Sequence, residues 1–383
     1  MTENDLITRI RSRWAGAQLP PGALGIGDDA AVWPRRGGPP LLITTDLFIE
    51  GTHFDSRLVP APFIGRKALC AAASDIGAMG GIPEACLLSL GAGPGPAAAR
   101  RAESILAAFH EEAEEIGIPL VGGDLSRSAG GLVLDVVVLG RPAGKRSILR
   151  SGARPGDRLF VTGPLGGSST GLHLLRRGRR PWRSALTWGR EAGPGTRRDR
   201  LNRPSGPRTK DGSAAERFGP GESIRGSSSK ERDRILESLA VFAHLRPRPP
   251  LRAGAAFGRS GLVHAMMDLS DGLAIDLRRL CAASGAGARV VGSLLPVHPA
   301  AERFLGPEGG LAAALGGGED YELLLAAPSA AEARLRRLAR RAGSDLIPIG
   351  EITRSREGLV FEEADRRRRP LSDTGWDPFR SSR

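Results

Sequence analysis

The chain has 383 residues, of which 40% are hydrophobic and 25% are charged, and its formal net charge is +13. This length predicts a globular protein of two domains, and no apolar run approaches the roughly 20 residues that a membrane-spanning helix needs. The three cysteines lack CxxC spacing, which argues against a disulfide framework or a zinc site. The N-terminus lacks the pattern of a secretory signal, so we expect a cytoplasmic protein without a membrane partner.

The positive charge is concentrated in two segments. Arg and Lys outnumber Asp and Glu by 16 to 7 between Arg176 and Asp233, and the run from Arg366 to Arg369 adds four more. Residues 178–232 are also rich in Gly, Ser and Pro and lack aliphatic periodicity, which predicts a disordered basic insert. Nucleic-acid binding by this insert is one alternative. Few aromatic residues accompany its arginines, so we expect no specific nucleic-acid partner.

The first 150 residues alternate apolar strands with amphipathic helices. The predicted strands lie at 41–45, 86–90 and 132–139. One predicted helix begins at Pro62, and a second spans 96–116. Strands separated by helices of this length are typical of an α/β or α+β domain. We assign this domain to residues 1–150.

Residues 151–383 form a second α/β set, which the basic insert interrupts. Its predicted elements are strands at 158–162, 264–269, 289–291, 321–326 and 359–362 and helices near 234–243, 271–284 and 329–342. The whole chain is therefore predicted to have an α/β fold with mixed sheets and two domains.

Five short clusters place an Asp at the end of an apolar strand or in a Gly-rich turn. They are Gly25–Asp29, Thr44–Asp46, Ser74–Asp75, Gly122–Asp124 and Met267–Gly272. Carboxylate oxygens select Mg²⁺, and neighbouring glycines leave backbone N–H groups free to approach phosphates. Each cluster alone is also typical of an ordinary turn or helix cap. Because five occur together and no GxxxxGK[ST] loop is present, we favour a magnesium–phosphate site built on aspartates.

Seven motifs occur in the order of one enzyme family. They are GIGDDAAV at 25–32, TTDLFIEGTHF at 44–54, SDIGAMGG at 74–81, GGDLSRS at 122–128, RSGARPGD at 150–157, MDLSDGL at 267–273 and GGEDYELL at 317–324. In these motifs the chain resembles thiamine-monophosphate kinase, of the superfamily that includes aminoimidazole ribonucleotide synthetase and selenophosphate synthetase. The resemblance implies an N-terminal domain whose sheet contributes to a homodimer interface. It also implies a C-terminal α/β domain, with ATP and several Mg²⁺ ions in the cleft between the two.

The resemblance further implies roles for individual residues. Matches to the family's metal ligands are Asp29, Thr44, Thr45, Asp46, Asp75, Asp124, Asp268 and Asp271, with Asp29, Asp124 and Asp268 at the centre of the catalytic site. Matches to positions near ATP are Gly123, Asp124, Arg150 and Ser270. Matches to positions that face thiamine phosphate are His53, Glu319 and Trp376.

The implied reaction transfers a phosphoryl group from ATP to thiamine monophosphate. The acceptor phosphate is already anionic near neutral pH, because its second pKa is about 6, so no general base is expected. Mg²⁺ ions would offset the repulsion between the two polyanions. The main alternative is another ATP-dependent enzyme of the superfamily, such as aminoimidazole ribonucleotide synthetase.

Overall fold

The computed structural model describes residues 2–14, 19–181, 228–372 and 374–377. Most of the insert predicted at 178–232 therefore lies outside the described residues. At the end of the insert the prediction is wrong, because a helix begins at Ser229. Ser228 caps this helix by accepting the N–H of Glu231. The first turn is charged and exposed, so aliphatic spacing alone did not reveal it.

Nine α-helices and twelve β-strands occur in the described ranges. The helices are α1 (Glu3–Trp14), α2 (Ala61–Ala78), α3 (Pro96–Ile116), α4 (Gly167–Arg176), α5 (Ser229–Leu245), α6 (Leu251–Ser260), α7 (Leu273–Ser284), α8 (Pro299–Gly316) and α9 (Glu332–Arg341). The strands are β1 (Ala31–Trp33), β2 (Leu41–Ile49), β3 (Gly81–Ala92), β4 (Leu120–Arg127), β5 (Val133–Pro142), β6 (Asp157–Val161), β7 (Ala265–Asp268), β8 (Ala286–Val291), β9 (Leu323–Pro328), β10 (Ile347–Arg354), β11 (Leu359–Glu362) and β12 (Arg368–Pro370). None of these helices is long and apolar enough to cross a membrane.

The N-terminal sheet has five strands in the order β1-β2-β5-β3-β4. Only β3 and β4 run parallel, and the other neighbours are antiparallel. Helix α2 packs against β2, β3 and β5, and α3 packs on α2. Along β2, Leu42, Thr44 and Phe48 are buried towards these helices, whereas Leu47 points to the other face and is 49% exposed. We call this second face the open face.

The C-terminal sheet has seven strands in the order β12-β11-β8-β10-β6-β9-β7. Both of its faces are covered, since Leu159 and Val161 of β6 join one apolar cluster and Phe160 joins another. This explains why β9 reads as a continuous apolar run rather than an alternating one. The two mixed sheets with their helices confirm the predicted α/β fold class.

Eight of the described elements were not predicted: α1, α4, α6, α8, β1, β4, β10 and β12. Helix α6 is rich in glycine because it packs very closely on α2, where a Cβ at Gly254 would lie 2.3 Å from the carbonyl oxygen of Gly77. Helix α8 is interrupted by a kink at Gly306, just before Pro307. Strand β4 is almost wholly exposed and lacks apolar alternation. The sequence of α6 therefore reflects close helix packing, that of α8 a kink, and that of β4 an edge position.

Candidate active site

Three carboxylates from distant parts of the chain meet beside the covered face of the N-terminal sheet. Asp29 precedes β1, Asp75 lies in the last turn of α2, and Asp268 ends β7. Their ligand oxygens lie within 4.8 Å of one another. Burial and mutual repulsion raise the pKa of Asp75 and of Asp268 well above the usual range. We call Asp29, Asp75 and Asp268 the carboxylate cluster.

The neighbours of the carboxylate cluster leave part of its hydrogen-bonding capacity unused. The Thr44 hydroxyl donates to Asp75 Oδ2 at 2.5 Å, and Arg150 Nε and Nη2 donate to Asp29 Oδ1 at 3.0 and 2.6 Å. Oδ2 of Asp29 is buried and has no hydrogen-bond partner in the described structure. A buried carboxylate oxygen without a donor, beside two further carboxylates, fits a hard cation such as Mg²⁺.

Asp28 also belongs to this neighbourhood, although sequence reasoning selected only Asp29 of the pair. Its carboxylate accepts the backbone N–H of Arg150 at 3.2 Å. Burial, followed by repulsion from Asp29, raises the pKa of Asp28 to about 7. The available signal was the doubled Asp in the GIGDD turn.

Asp271, predicted as a metal ligand, already has a cationic partner. Arg279 Nη1 lies 2.5 Å from Asp271 Oδ2 and 2.9 Å from Asp276 Oδ1, and Nη2 lies 2.9 Å from Glu3 Oε2. Asp46 interacts electrostatically both with Asp271 of this group and with Asp75 of the carboxylate cluster. Burial, followed by repulsion from Asp271, raises the pKa of Asp46 to about 6. Interacting acidic side chains therefore link Asp75 through Asp46 to Asp271.

Thr45 and Asp124 lie on the open face rather than in the carboxylate cluster. Asp124 of β4 pairs with Ser89 of β3, which pairs with Asp135 of β5, so the three side chains form one row. The Thr45 hydroxyl donates to Asp135 Oδ1 at 2.6 Å. Sequence reasoning missed Asp135, although a single Asp in an otherwise apolar strand was the available signal.

Gly123, predicted near ATP, is required by the close approach of β3 to β4. A Cβ at this position would lie 1.9 Å from the carbonyl oxygen of Leu88. The neighbouring Asp124 is exposed at the edge of the sheet. The glycine therefore has a packing reason that is independent of any nucleotide.

The three residues predicted to face thiamine phosphate are brought together. The rings of His53 and Trp376 lie 5.6 Å apart at an angle of 53°. The backbone N–H of Trp376 donates to the backbone carbonyl of Asp271 at 3.1 Å. His53 Nδ1 accepts the N–H of Ile49 at 3.0 Å. Burial lowers the pKa of His53, and the nearby Glu319 carboxylate opposes that shift. Aromatic faces next to an anion suit a flat cationic ring.

Glu319 is held in an unusual backbone conformation by the motif GGEDYELL. Its φ angle is 66°, and that of Tyr321 is 51°. The Glu319 N–H donates to the Ser270 carbonyl at 2.7 Å, which ties this loop to the segment that carries Asp268. Such left-handed conformations in non-glycine residues are concentrated at functional sites.

Asp320 of the same motif has a structural role. Its carboxylate accepts the backbone N–H groups of Gly166 at 2.7 Å and Ser168 at 3.1 Å. These donors belong to the start of α4, so Asp320 occupies the place that a phosphate would need there. Burial raises the pKa of Asp320 to about 7.

Comparisons with known proteins identify the family of this chain. Residues 27–141 match the family described as AIR synthase related protein, N-terminal domain, and residues 221–362 match the corresponding C-terminal domain. Thiamine-monophosphate kinase of Escherichia coli strain K12 is 31% identical over 363 residues, which cover 94% of this chain and 93% of that protein. The Bacillus subtilis enzyme of the same name is 29% identical over 93% of this chain and 94% of its own length.

Solved structures give the same result. The structure of AaThiL complexed with AMPPCP and TMP is 26% identical, with a TM-score of 0.72, and the match covers 99% of this chain and 97% of that one. Thiamine-monophosphate kinase from Stenotrophomonas maltophilia is 29% identical, with a TM-score of 0.65 and coverage of 94% and 96%. The hydrogenase maturation protein HypE of E. coli, at 20% identity and a TM-score of 0.61, shares the fold alone. The chain belongs to the thiamine-monophosphate kinase family.

Proposed function

We propose that this protein transfers the γ-phosphoryl group of ATP to thiamine monophosphate, which yields thiamine diphosphate and ADP. The observation that carries the proposal is the carboxylate cluster, whose Asp29 retains an unpartnered buried oxygen. The same acidic region also holds the His53–Trp376 ring pair, because the backbone N–H of Trp376 donates a hydrogen bond to the backbone carbonyl of Asp271.

In this proposal Asp29, Asp75 and Asp268 hold Mg²⁺. Asp46, Asp271 and Thr44 are further candidate ligands in the same acidic region, and Thr45 and Asp124 are separate candidates on the open face. When bound, Mg²⁺ offsets the repulsion between the triphosphate of ATP and the phosphate of thiamine monophosphate. Arg150 fixes the orientation of Asp29 through two hydrogen bonds. Because the acceptor oxygen is already anionic, the residues around it need only bind and orient the substrates.

ATP is proposed to bind near Gly123, Asp124, Arg150 and Ser270. Thiamine monophosphate is proposed to lie against His53 and Trp376, with Glu319 supplying negative charge opposite the cationic thiazolium. Trp376 is 42% exposed, which leaves its ring accessible to such a ligand.

The open face supports the proposed homodimer. Leu47 is 49% exposed on this face, and Leu87, Val137 and Leu139 point to the same side because they alternate with buried neighbours on β3 and β5. A largely apolar sheet face of this kind is typical of an interface. Domain boundaries at 1–150 and 151–383 are also part of the proposal.

We further propose that the protein works in the cytoplasm. Cys70, Cys86 and Cys281 are free and buried, which fits a reducing compartment.

A side-by-side assay of ATP turnover tests the proposed function. The purified protein is given thiamine monophosphate, free thiamine or the aminoimidazole precursor, each with ATP and Mg²⁺. We expect turnover of thiamine monophosphate alone. Turnover of free thiamine or of the precursor, without turnover of the monophosphate, would refute the assignment.

A further inference from the structure

A fully buried ammonium group lies next to the proposed thiamine site. Lys67 is in α2, and its side chain is only 2% exposed. Its Nζ lies 2.7 Å from Glu319 Oε1, and within the described ranges this is its one ion pair. A buried Lys is costly unless it is paired, so this position in an otherwise apolar helix requires an explanation.

The other polar neighbour of Glu319 carries no charge. His244 Nδ1 lies 3.3 Å from Glu319 Oε2 and 3.0 Å from the Ser168 hydroxyl. Burial, followed by the nearby cation Lys67, lowers the pKa of His244 well below its usual range. The imidazole is therefore neutral, and among the described residues Lys67 is the single cation paired with the Glu319 carboxylate.

The ion pair has a defined orientation relative to the site. The Glu319 side chain is 28% exposed, whereas Lys67 is almost completely buried. The pair therefore turns its negative end outwards and keeps its positive end inside the protein. Glu319 and Lys67 both act electrostatically on His53, which places the ion pair within electrostatic range of the His53–Trp376 ring pair.

We propose that Lys67 is a positioning residue that fixes the Glu319 carboxylate as the anion facing the cationic ring of thiamine monophosphate. This inference rests on the proposed function. Lys67 does not itself touch the substrate. Its contribution is selectivity for a cationic ligand, because without it the Glu319 carboxylate loses its one buried counter-charge and its fixed orientation.

Direct binding of thiamine monophosphate, measured by calorimetry, tests this proposal with four variants. Lys67→Met removes the charge at similar length, and we expect affinity to fall about tenfold, with ATP affinity unchanged. Lys67→Arg keeps the charge and should recover most of the affinity. Glu319→Gln should weaken binding by a similar factor. In the Glu319→Gln background Lys67→Met should have almost no further effect, because the two residues act as a unit.

A second experiment does not depend on whether the Lys67→Met protein folds. It uses a neutral analogue of thiamine monophosphate, in which an uncharged ring of the same shape replaces the thiazolium. The wild-type protein should prefer thiamine monophosphate over this analogue, and Glu319→Gln should remove the preference. Equal binding of both ligands by the wild type would overturn the proposal, as would a full effect of Lys67→Met in the Glu319→Gln protein. Turnover of thiamine monophosphate by the wild type tests the proposed function separately, since it can persist when this selectivity is absent.

Discussion

Two groups of buried carboxylates in this protein have opposite surroundings. Glu112 of α3 is 2% exposed, and it pairs with Arg66 of α2 at 3.0 Å and with Arg246, which follows α5, at 2.7 Å. The carboxylate cluster has three acids but one arginine, Arg150, which bonds to Asp29 alone of the three. The first group is neutralised by the chain and joins three helices. The second is left with excess negative charge, which a protein tolerates where a cation binds.

The largest expected effect is a loss of turnover when a carboxylate of the cluster is neutralised, without a loss of stability. Asp268→Asn should lower turnover of thiamine monophosphate about a hundredfold or more, because it removes a proposed metal ligand. Without Mg²⁺ the melting temperature of this variant should be unchanged or higher, because one source of repulsion is lost. Steady-state kinetics and a thermal melt check both parts. A variant with normal turnover at low Mg²⁺ would show that the cluster does not hold the ion.

Glu112→Ala is the matched change in the neutralised group. We expect it to lower the free energy of unfolding by about 3 kcal/mol, because it breaks a buried ion pair. This value is at the low end of the usual range, since Arg246 keeps its ion pair with Glu115. Turnover per folded molecule should stay within a few-fold of the wild type. Chemical denaturation measures the first quantity and an activity assay the second. Unchanged stability would mean that the arginine pairs at Glu112 contribute nothing to the fold.

The pH dependence of stability should report on two buried acids next to the carboxylate cluster, Asp28 and Asp276. The pKa values of Asp28 and Asp276 are raised from 3.8 to about 7 in the folded protein. Between these values the folded state holds protons that the unfolded state has released, so this stabilisation is present at acidic pH and is lost as the pH rises through about 7. Melting temperatures without Mg²⁺ should therefore contain a component that falls over this range.

Added Mg²⁺ should raise the melting temperature more at pH 8 than at pH 5, because ionised carboxylates bind it better. The Glu112→Ala protein serves as the control and should show the same Mg²⁺ response as the wild type. An Mg²⁺ effect that is equal at the two pH values would argue against binding of Mg²⁺ to the carboxylate cluster.

The smallest expected effect concerns Trp376, in the proposed thiamine site. Trp376→Ala should weaken binding of thiamine monophosphate about two- to sixfold, as expected for loss of a partly exposed cation–π contact. Binding of ATP should not change. Calorimetry with each ligand separately measures both affinities. Equal losses for the two ligands would indicate that Trp376 anchors the C-terminal segment instead.

The sequence singled out three acids that the structure brings together, but it did not show on which face of the sheet the other predicted site residues lie. Asp29, Asp75 and Asp268 are each visible as an Asp in a Gly- or strand-associated motif, and the structure brings them together. Alternation along β2 could have separated Thr44 from Thr45, since neighbours in a strand face opposite sides. That Asp124 shares the row of Asp135 depends on strand register, which no local pattern reveals.

Partners that lie far apart in the chain were also beyond sequence reasoning. Lys67 and His244 meet Glu319 only because α2, α5 and the GGEDYELL loop pack together. A Lys within an apolar helical stripe was a visible signal, but its partner was not. The start of α5 at Ser229 was hidden because its first turn is charged and depends on a cap.

Calorimetric titration of Mg²⁺ into the wild-type protein and into Asp268→Asn, each with the non-hydrolysable nucleotide AMPPCP, tests the central claim most directly. The account predicts saturable Mg²⁺ binding to the wild type and an affinity at least about tenfold lower for the variant, equivalent to about 1.4 kcal/mol. Glu112→Ala should bind as the wild type does. Equal affinity of the wild type and Asp268→Asn would contradict the claim that the carboxylate cluster is the magnesium site.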